Sequence, residues 1–440
     1  MNAYLEDASG YRGHADQVFV PANEPELLGI LHNASRDQVP VTISGAGTGL
    51  TGGRVAQGGW VVSLEKFRRL EINDGYAIAG PGISLEDLQA AAEPTGQFYA
   101  PDPTERTASI GGVIATNASG SRSFRYGSTR RHILGLRVAL VDGRVLDVKR
   151  GDKIDFDVPP IPLPKTTKNT AGYQLAPGMD WIDLFIGSEG TLGIVTEAEV
   201  RLLKKPAGVL AGVVFFSGDD AALDAVDAWR NVEGLRMIEY FDRNSLEFLR
   251  QRHPETPRDS GAALLIEQEN GDIDFWAEHA PEDSWFAASG QDRERFRRFR
   301  HALPELVNDT MRRRGFLKLN SDYAVPLDRN REMLAYYHAA LREQSLDYVI
   351  FGHLGDAHVH VNILPDSEAQ FETGQELMLD FARQAVALGG TVSAEHGLGK
   401  RKAHLLKLQY SENQIEAMKQ VKHRLDPNWL LNPGNLFERG

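Results

Sequence analysis

The sequence has no cysteine among its 440 residues. That excludes disulfides, iron–sulfur ligation and a thiolate nucleophile, and leaves His, Asp and Glu as metal donors. It also lacks any excess of positive charge: 61 acidic against 48 basic side chains give a net charge of −13. Nucleic acid and an anionic membrane are therefore poor partners, because both select a basic footprint. No apolar run reaches the length of a membrane span. The opening residues, MNAYLEDASGYRGH, have neither the apolar core of a secretory signal nor the Arg-rich pattern of a transit peptide. The expectation is a cytoplasmic protein, attached to a membrane at most peripherally.

What is present is an ordinary globular balance, 42% hydrophobic and 25% charged, over a length that suits two domains. Short β-type runs punctuated by glycine fill residues 38–205: Val39 to Ile43, Trp60 to Leu64, Tyr76 to Ala79, Leu136 to Val141, Leu184 to Ile186 and Ile194 to Leu202. Pro25 to Asn33 and Ser84 to Ala92 read as helices, the second with Ser84 as N-cap. Residues 150–170 carry PPIPLP and read as a loop. Beyond Lys205-Pro206 the texture changes. Val209 to Phe216, Leu346 to Phe351 and Val359 to Leu364 read as strands. Asp219 to Arg230, Arg293 to Arg314 (broken near Pro304), Asp366 to Leu388 and Ala403 to Leu425 read as helices. The boundary falls near residue 205, dividing 1–205 from 206–440.

The segment 44–53, SGAGTGLTGG, follows a strand. It contains a formal dinucleotide fingerprint, but that fingerprint must open a helix, and the glycines at 52, 53, 58 and 59 leave no room for one before Trp60. A strand–loop–strand unit remains, with Gly45, Gly47, Gly49 and Gly52 free to form a backbone nest for an anion such as a dinucleotide pyrophosphate. Residues 109–120, SIGGVIATNASG, offer close backbone approach at Gly111, Gly112, Thr116, Asn117 and Ser119. With GSEGTLGIVTE at 187–197 they suggest one large, extended cofactor.

In FGHLGDAHVHVN (351–362), His358, His360 and Asn362 alternate and so share one strand face, with His353 in the preceding loop. SAEHGLGK (393–400) adds Glu395 and His396. Two imidazoles plus a carboxylate is a common divalent-metal set; on spacing alone His353 and His358 compete for one place in it. Within DRERFRRFR (292–300) most arginines read as a solvated helical face. Lys318, Asn320 and Asp322 of KLNSDYAVP are further candidates for lining the same pocket.

Eight blocks together carry a family resemblance: SGAGTGLTGG, APDPT (100–104), SIGGVIATNASGSRSFRYGST (109–129), KNTAGYQL (168–175), GSEGTLGIVTE, HLGDAHVHVN (353–362), AEHGLGK (394–400) and LNPGN (431–435). In order and content the chain resembles the FAD-linked D-2-hydroxyacid dehydrogenases of the vanillyl-alcohol-oxidase/PCMH superfamily. The resemblance implies an α+β fold: a PCMH-type FAD-binding domain of two α+β subdomains, then an α+β cap of the FAD-linked oxidase C-terminal type. Residues 400–440 would return toward the flavin.

It also implies noncovalent FAD held by Ser44, Gly45, Ala46, Gly47, Thr48, Gly49, Gly52 and Gly53. Pro101, Gly111, Gly112, Thr116, Asn117, Ser119, Tyr126 and Gly127 would line the cofactor, as would Glu189, Gly190, Gly193, Ile194, Val195 and Asn432. By the same likeness His353, His360 and Glu395 would hold a divalent metal, zinc being the expected ion. His396 would be the base, Arg300 would grip the substrate carboxylate, and Lys318, Asn320 and Asn362 would line the substrate pocket. The implied reaction is oxidation of a small D-2-hydroxy acid to the 2-keto acid by hydride transfer to flavin. Electrons would pass to a quinone, a cytochrome or an electron-transfer flavoprotein, and a homodimer is an allowed assembly. The alternatives are a same-fold transferase of the ether-lipid synthase type and a noncatalytic subunit of an oxidase complex. Two departures stand out: Ala357-His358 replace the family's Gly-Asn, and Asn435 replaces its lysine in the C-terminal motif.

Overall fold

A computed structural model describes residues 2–287 and 290–437. Strands Gln17–Phe19, Trp60–Ser63 and Val41–Ser44 form a parallel sheet with Trp60–Ser63 in the centre. Parallel neighbours need a long crossover, usually a helix. Here the crossover from Ser44 to Trp60 contains no helix and no strand, so the glycine loop takes the helix's place and keeps its backbone exposed. Helix Glu24–Asp37, started by the Asn23 side chain accepting from Glu26 N, packs Leu27, Leu31 and Ala34 onto this sheet.

A second, antiparallel sheet runs Leu70–Asn73, Tyr76–Ala79, Ile194–Arg201, Ile133–Ala139, Val145–Lys149. Ile194–Arg201 alternates buried and half-buried residues, the period-2 signature of a one-faced strand. The C-terminal segment returns to the first sheet: Leu431 bridges Val41 in parallel, and the Asn432 side chain accepts from Ile43 N at 2.7 Å.

The largest sheet is antiparallel, ordered Trp285–Ala287, Val209–Phe216, Ala262–Glu269, Leu235–Asp242, Tyr348–His353, His358–Ile363, Leu319–Asn320. Its two faces feed separate cores. Ile238, Tyr240, Ile350, Val359 and Val361 join one cluster. Met237, Phe241 and Val349 join the other, beneath helix Gly290–Arg314 with its Phe296, Phe299 and Leu303. Strand periodicity then assigns Glu239, His353, His358, His360 and Asn362 to the helix-facing side. The site is therefore a polar end of an otherwise apolar layer.

Several expectations need correction. Leu184 to Ile186 is not a strand; it is the end of helix Trp181–Phe185, capped by Asp180, and a short run buried on all sides has no periodicity to tell the two apart. Helix Gly290–Arg314 runs unbroken through Pro304, held by the buried Phe296, Phe299, Leu303 and Val307. The span 403–425 is not one helix: a 3-10 turn Ala403–Leu405 and a short helix Leu406–Gln409 precede Glu412–Leu425, which Ser411 and Gln414 start afresh with a capping box. His353 closes a strand instead of lying in a loop. Ser84 does cap its helix, accepting from Asp87 N at 3.1 Å.

Candidate active site

A cleft of about 310 Å³ runs along the glycine loop and ends at Glu395 and His396. All three glycine-rich stretches meet in it. Of the residues assigned to the cofactor, Ser44 to Gly49, Gly53, Gly111, Gly112, Thr116, Ser119, Glu189, Gly190, Gly193, Ile194, Val195 and Asn432 line it. Gly52, Pro101, Asn117, Tyr126 and Gly127 lie off it. Their work is local: Gly52 N donates to Asp7 Oδ2, Asn117 Oδ1 accepts from Arg130 N, and Tyr126 OH meets Glu269.

The N–H groups of Gly47, Thr48 and Gly49 find no hydrogen-bond partner among the described residues. Such N–H groups facing a cleft fit a diphosphate. Arg54, which the sequence reading did not single out, staples this loop. Its guanidinium donates to Gly45 O at 2.9 Å, Glu6 O at 2.7 Å and Ser44 Oγ at 3.2 Å. Gly47 has φ +83°, and a Cβ there would meet the guanidinium at 2.3 Å.

At the far end, one oxygen of Glu395 lies 3.2 Å from His353 Nε2 and 3.3 Å from His360 Nε2. Each of these groups is held from behind. His353 Nδ1 is 2.5 Å from Glu239, His360 Nδ1 is 3.2 Å from the Ser321 carbonyl, and the other Glu395 oxygen accepts from Ser119 Oγ at 3.0 Å and Lys168 Nζ at 3.1 Å. Burial works against charging His353, but Glu239 and Glu395 outweigh it and raise its pKa to about 9. Burial also opposes ionisation of Glu395, and Lys168 and His353 reverse that, holding the carboxyl well below its usual range. Two imidazoles and an ionised carboxylate, each fixed by an outer partner, fit a divalent cation.

His396 stands beside this group with Nε2 3.8 Å from Glu395 and Nδ1 3.4 Å from Asp322, whose carboxylate also takes the His396 backbone N–H at 2.9 Å. Burial lowers its pKa against the pull of Asp322. His358 is fully buried and pushed by that burial to about pKa 3.

Arg300 is placed otherwise than the likeness implies. Its Nε and Nη2 are both spent on Glu239 at 2.8 Å, and Nη1 points to Thr104 Oγ1 at 3.4 Å. It thus supports His353 through Glu239 and retains one edge for a ligand. Lys318 is half-buried, its pKa lowered by desolvation, with no partner on its ammonium among the described residues. Asn320 pairs in register with Asn362, and the buried Asn362 amide donates to His360 O at 3.3 Å. A second cleft of about 480 Å³ opens at Arg300, walled by Arg122, Arg236 and Arg297, and meets the first at Pro103 and Thr104.

Glu239 and Lys168 carry much of this geometry and were not assigned a role from sequence. The one local signal for Glu239 is a charge inside a strand that is buried at every position.

Comparison with known proteins identifies the architecture. Residues 15–149 match the FAD binding domain, and residues 204–436, more than half the chain, match the C-terminal domain of FAD linked oxidases. The chain belongs to the FAD-linked oxidases. The chain is similar to a D-lactate dehydrogenase of Archaeoglobus fulgidus, 31% identical over 96% of this chain and 91% of that protein. Glycolate oxidase subunit GlcD of Bacillus subtilis is 32% identical over 99% and 92%, and a D-2-hydroxyglutarate dehydrogenase of Xanthomonas citri pv. viticola 32% over 96% and 89%. A solved alkyldihydroxyacetonephosphate synthase shares the fold, with TM-score 0.66 over 94% of this chain and 75% of that one at 16% identity. This FAD-linked oxidoreductase has, among its described residues, no helix long and apolar enough to cross a membrane.

Proposed function

We propose that this FAD-linked oxidoreductase converts a small D-2-hydroxy acid to its 2-keto acid and passes the electrons to a separate acceptor, a quinone, a cytochrome or an electron-transfer flavoprotein. One observation carries the reading: the glycine-lined cleft ends at Glu395 and His396, where His353 and His360 converge. When bound, noncovalent FAD supplies the two-electron acceptor, and a divalent ion, zinc by its donor set, supplies Lewis acidity toward the substrate hydroxyl.

The chain's own residues do the rest. Ser44 to Gly49 hold the diphosphate through backbone N–H groups, and Asn432 brings the C-terminal segment against the cofactor. His353, His360 and Glu395 hold the cation. His396, whose neutral form burial favours and which Asp322 orients, accepts the hydroxyl proton at Nε2. Lys318 and the remaining edge of Arg300 fix the substrate carboxylate. Basic side chains outnumber acidic ones in the lining of the second cleft, although Arg122 and Arg236 are paired with Glu267 and Arg297 with Glu294, and that excess favours entry of an anion into a protein whose net charge is −13. The same reading places FAD in residues 1–205 and the substrate groups in 206–440.

The test is an anaerobic panel of D- and L-2-hydroxy acids, scored by loss of flavin absorbance with formation of the keto acid. D-lactate, glycolate or D-2-hydroxyglutarate should bleach the flavin. A bound flavin that none of the panel bleaches would overturn the reading.

A further inference from the structure

His358 is unlike the other histidines of this sheet face. It is 0% exposed, and neither ring nitrogen has a hydrogen-bond partner of acceptable geometry. A buried polar atom left without a partner is costly and rare, and calls for an account. A core histidine held by Asp322 is the plain account, since His358 Nε2 lies 3.1 Å from Asp322 Oδ1. It covers only one nitrogen.

The placement of His358 supplies the second observation. Residues Leu354–Asp356 form a single tight turn, and Ala357 takes a left-handed φ of 52°. That hairpin sets His358 directly opposite His353 in register. The His358 ring centroid is 4.6 Å from that of His360 and 5.3 Å from that of His353. One ligand atom from each of His353, His358, His360 and Glu395 lies within 4.8 Å of all the others.

A common logic joins the three imidazoles. His353 has one nitrogen at Glu239, His360 has one at the Ser321 carbonyl, and His358 has one at Asp322. An oxygen acceptor holds the ring proton on that side, which leaves the opposite nitrogen bare in each neutral ring. Opposite those acceptors lie the nitrogens that would face a cation held among His353, His358, His360 and Glu395.

We infer that His358 is a fourth metal ligand, making the site of this chain a three-histidine, one-carboxylate set. The inference rests on the reading of His353, His360 and Glu395 as metal ligands. It also bears on the substrate class: four protein donors would leave two positions on a six-coordinate ion, enough for chelation through the hydroxyl oxygen and one carboxylate oxygen of a 2-hydroxy acid. Three imidazoles further direct the site toward zinc, nickel or iron and away from magnesium or calcium.

The test uses the FAD-loaded full chain. Zinc affinity is measured by chelator competition for wild type, His358→Asn, His358→Gln and His360→Ala, and the cobalt(II)-substituted proteins are compared by their ligand-field bands. X-ray absorption on wild type counts imidazoles without any variant. The expected result is one zinc per chain, three imidazoles, and a loss of more than about 100-fold in affinity with altered cobalt bands for both His358 variants. A loss of about 10–100-fold with unchanged bands is the effect of an outer partner and overturns the inference, as does a count of two imidazoles. Metal lost in His360→Ala and retained in both His358 variants defeats this inference alone. Wild type that binds no metal defeats the underlying reading as well.

Discussion

At one end of the cleft, residues 44–53 offer backbone: three N–H groups without a partner among the described residues, glycines that keep side chains out of the way, and an arginine bracing the loop from behind. At the other end, Glu395, His353 and His360 offer side chains almost out of contact with water, each tied to a second residue that fixes its proton or its charge. The backbone end needs space and tolerates little added bulk, because its donors come with every residue. The side-chain end needs partners, because a buried charge is sustained only when it is paired and hydrogen-bonded. The two ends should therefore fail in different ways: the first by losing its cofactor, the second by losing chemistry while the cofactor stays.

The sharpest break should come from His396→Ala. General base catalysis contributes about 10²–10⁴-fold, so kcat should fall by that order while the purified protein remains yellow with FAD. Equal loss of flavin would mean that His396 belongs to the cofactor end. Next in size is Glu239→Gln. Removing the carboxylate behind His353 should weaken metal affinity by about 10–100-fold, with FAD content unchanged. An unaltered metal affinity would make Glu239 a partner of Arg300 only. Far smaller, Arg298→Ala on the exposed side of helix Gly290–Arg314 should shift stability by no more than about 0.5 kcal/mol, and it serves as the baseline for both.

The difference between the ends also decides what could be read from the sequence. The cofactor end is local. SGAGTGLTGG after one strand and before the next already ruled out a helix, and the structure threads residues 45–59 as that crossover. The residues that converge at the far end are legible as well, since Glu395 and the histidines of 353–360 stand in two short segments. Their supports were not. Glu239 reaches His353 across two neighbouring strands, Lys168 comes from a loop 227 residues away from Glu395, and Arg300 turns to Glu239 because helix and sheet share a core. These pairings depend on sheet order, which no local pattern encodes. The same limit applies to Leu184 to Ile186, which closes a helix where its residue types suggest a strand. Its burial comes from tertiary packing, and a run of apolar residues carries no period.

The contrast can be tested within the glycine class itself. Gly47 and Gly10 both have left-handed φ, +83° and +72°. A Cβ on Gly10 meets nothing within 4 Å, while one on Gly47 meets the Arg54 guanidinium at 2.3 Å. Alanine at either position incurs the left-handed penalty of about 1–2 kcal/mol. At Gly10 that cost should appear in thermal stability alone, with FAD affinity as in wild type. At Gly47 the added carbon must also displace Arg54 from Gly45 O, Glu6 O and Ser44 Oγ, and with it the loop that carries the free N–H groups. FAD affinity, measured by titration of the apoprotein, should fall roughly tenfold, the factor that about 1.4 kcal/mol represents. Metal affinity, read on the same samples, should not move. If both substitutions weaken FAD equally, the loop is held by backbone conformation alone and Arg54 does not brace it; if neither does, the diphosphate lies elsewhere along the cleft.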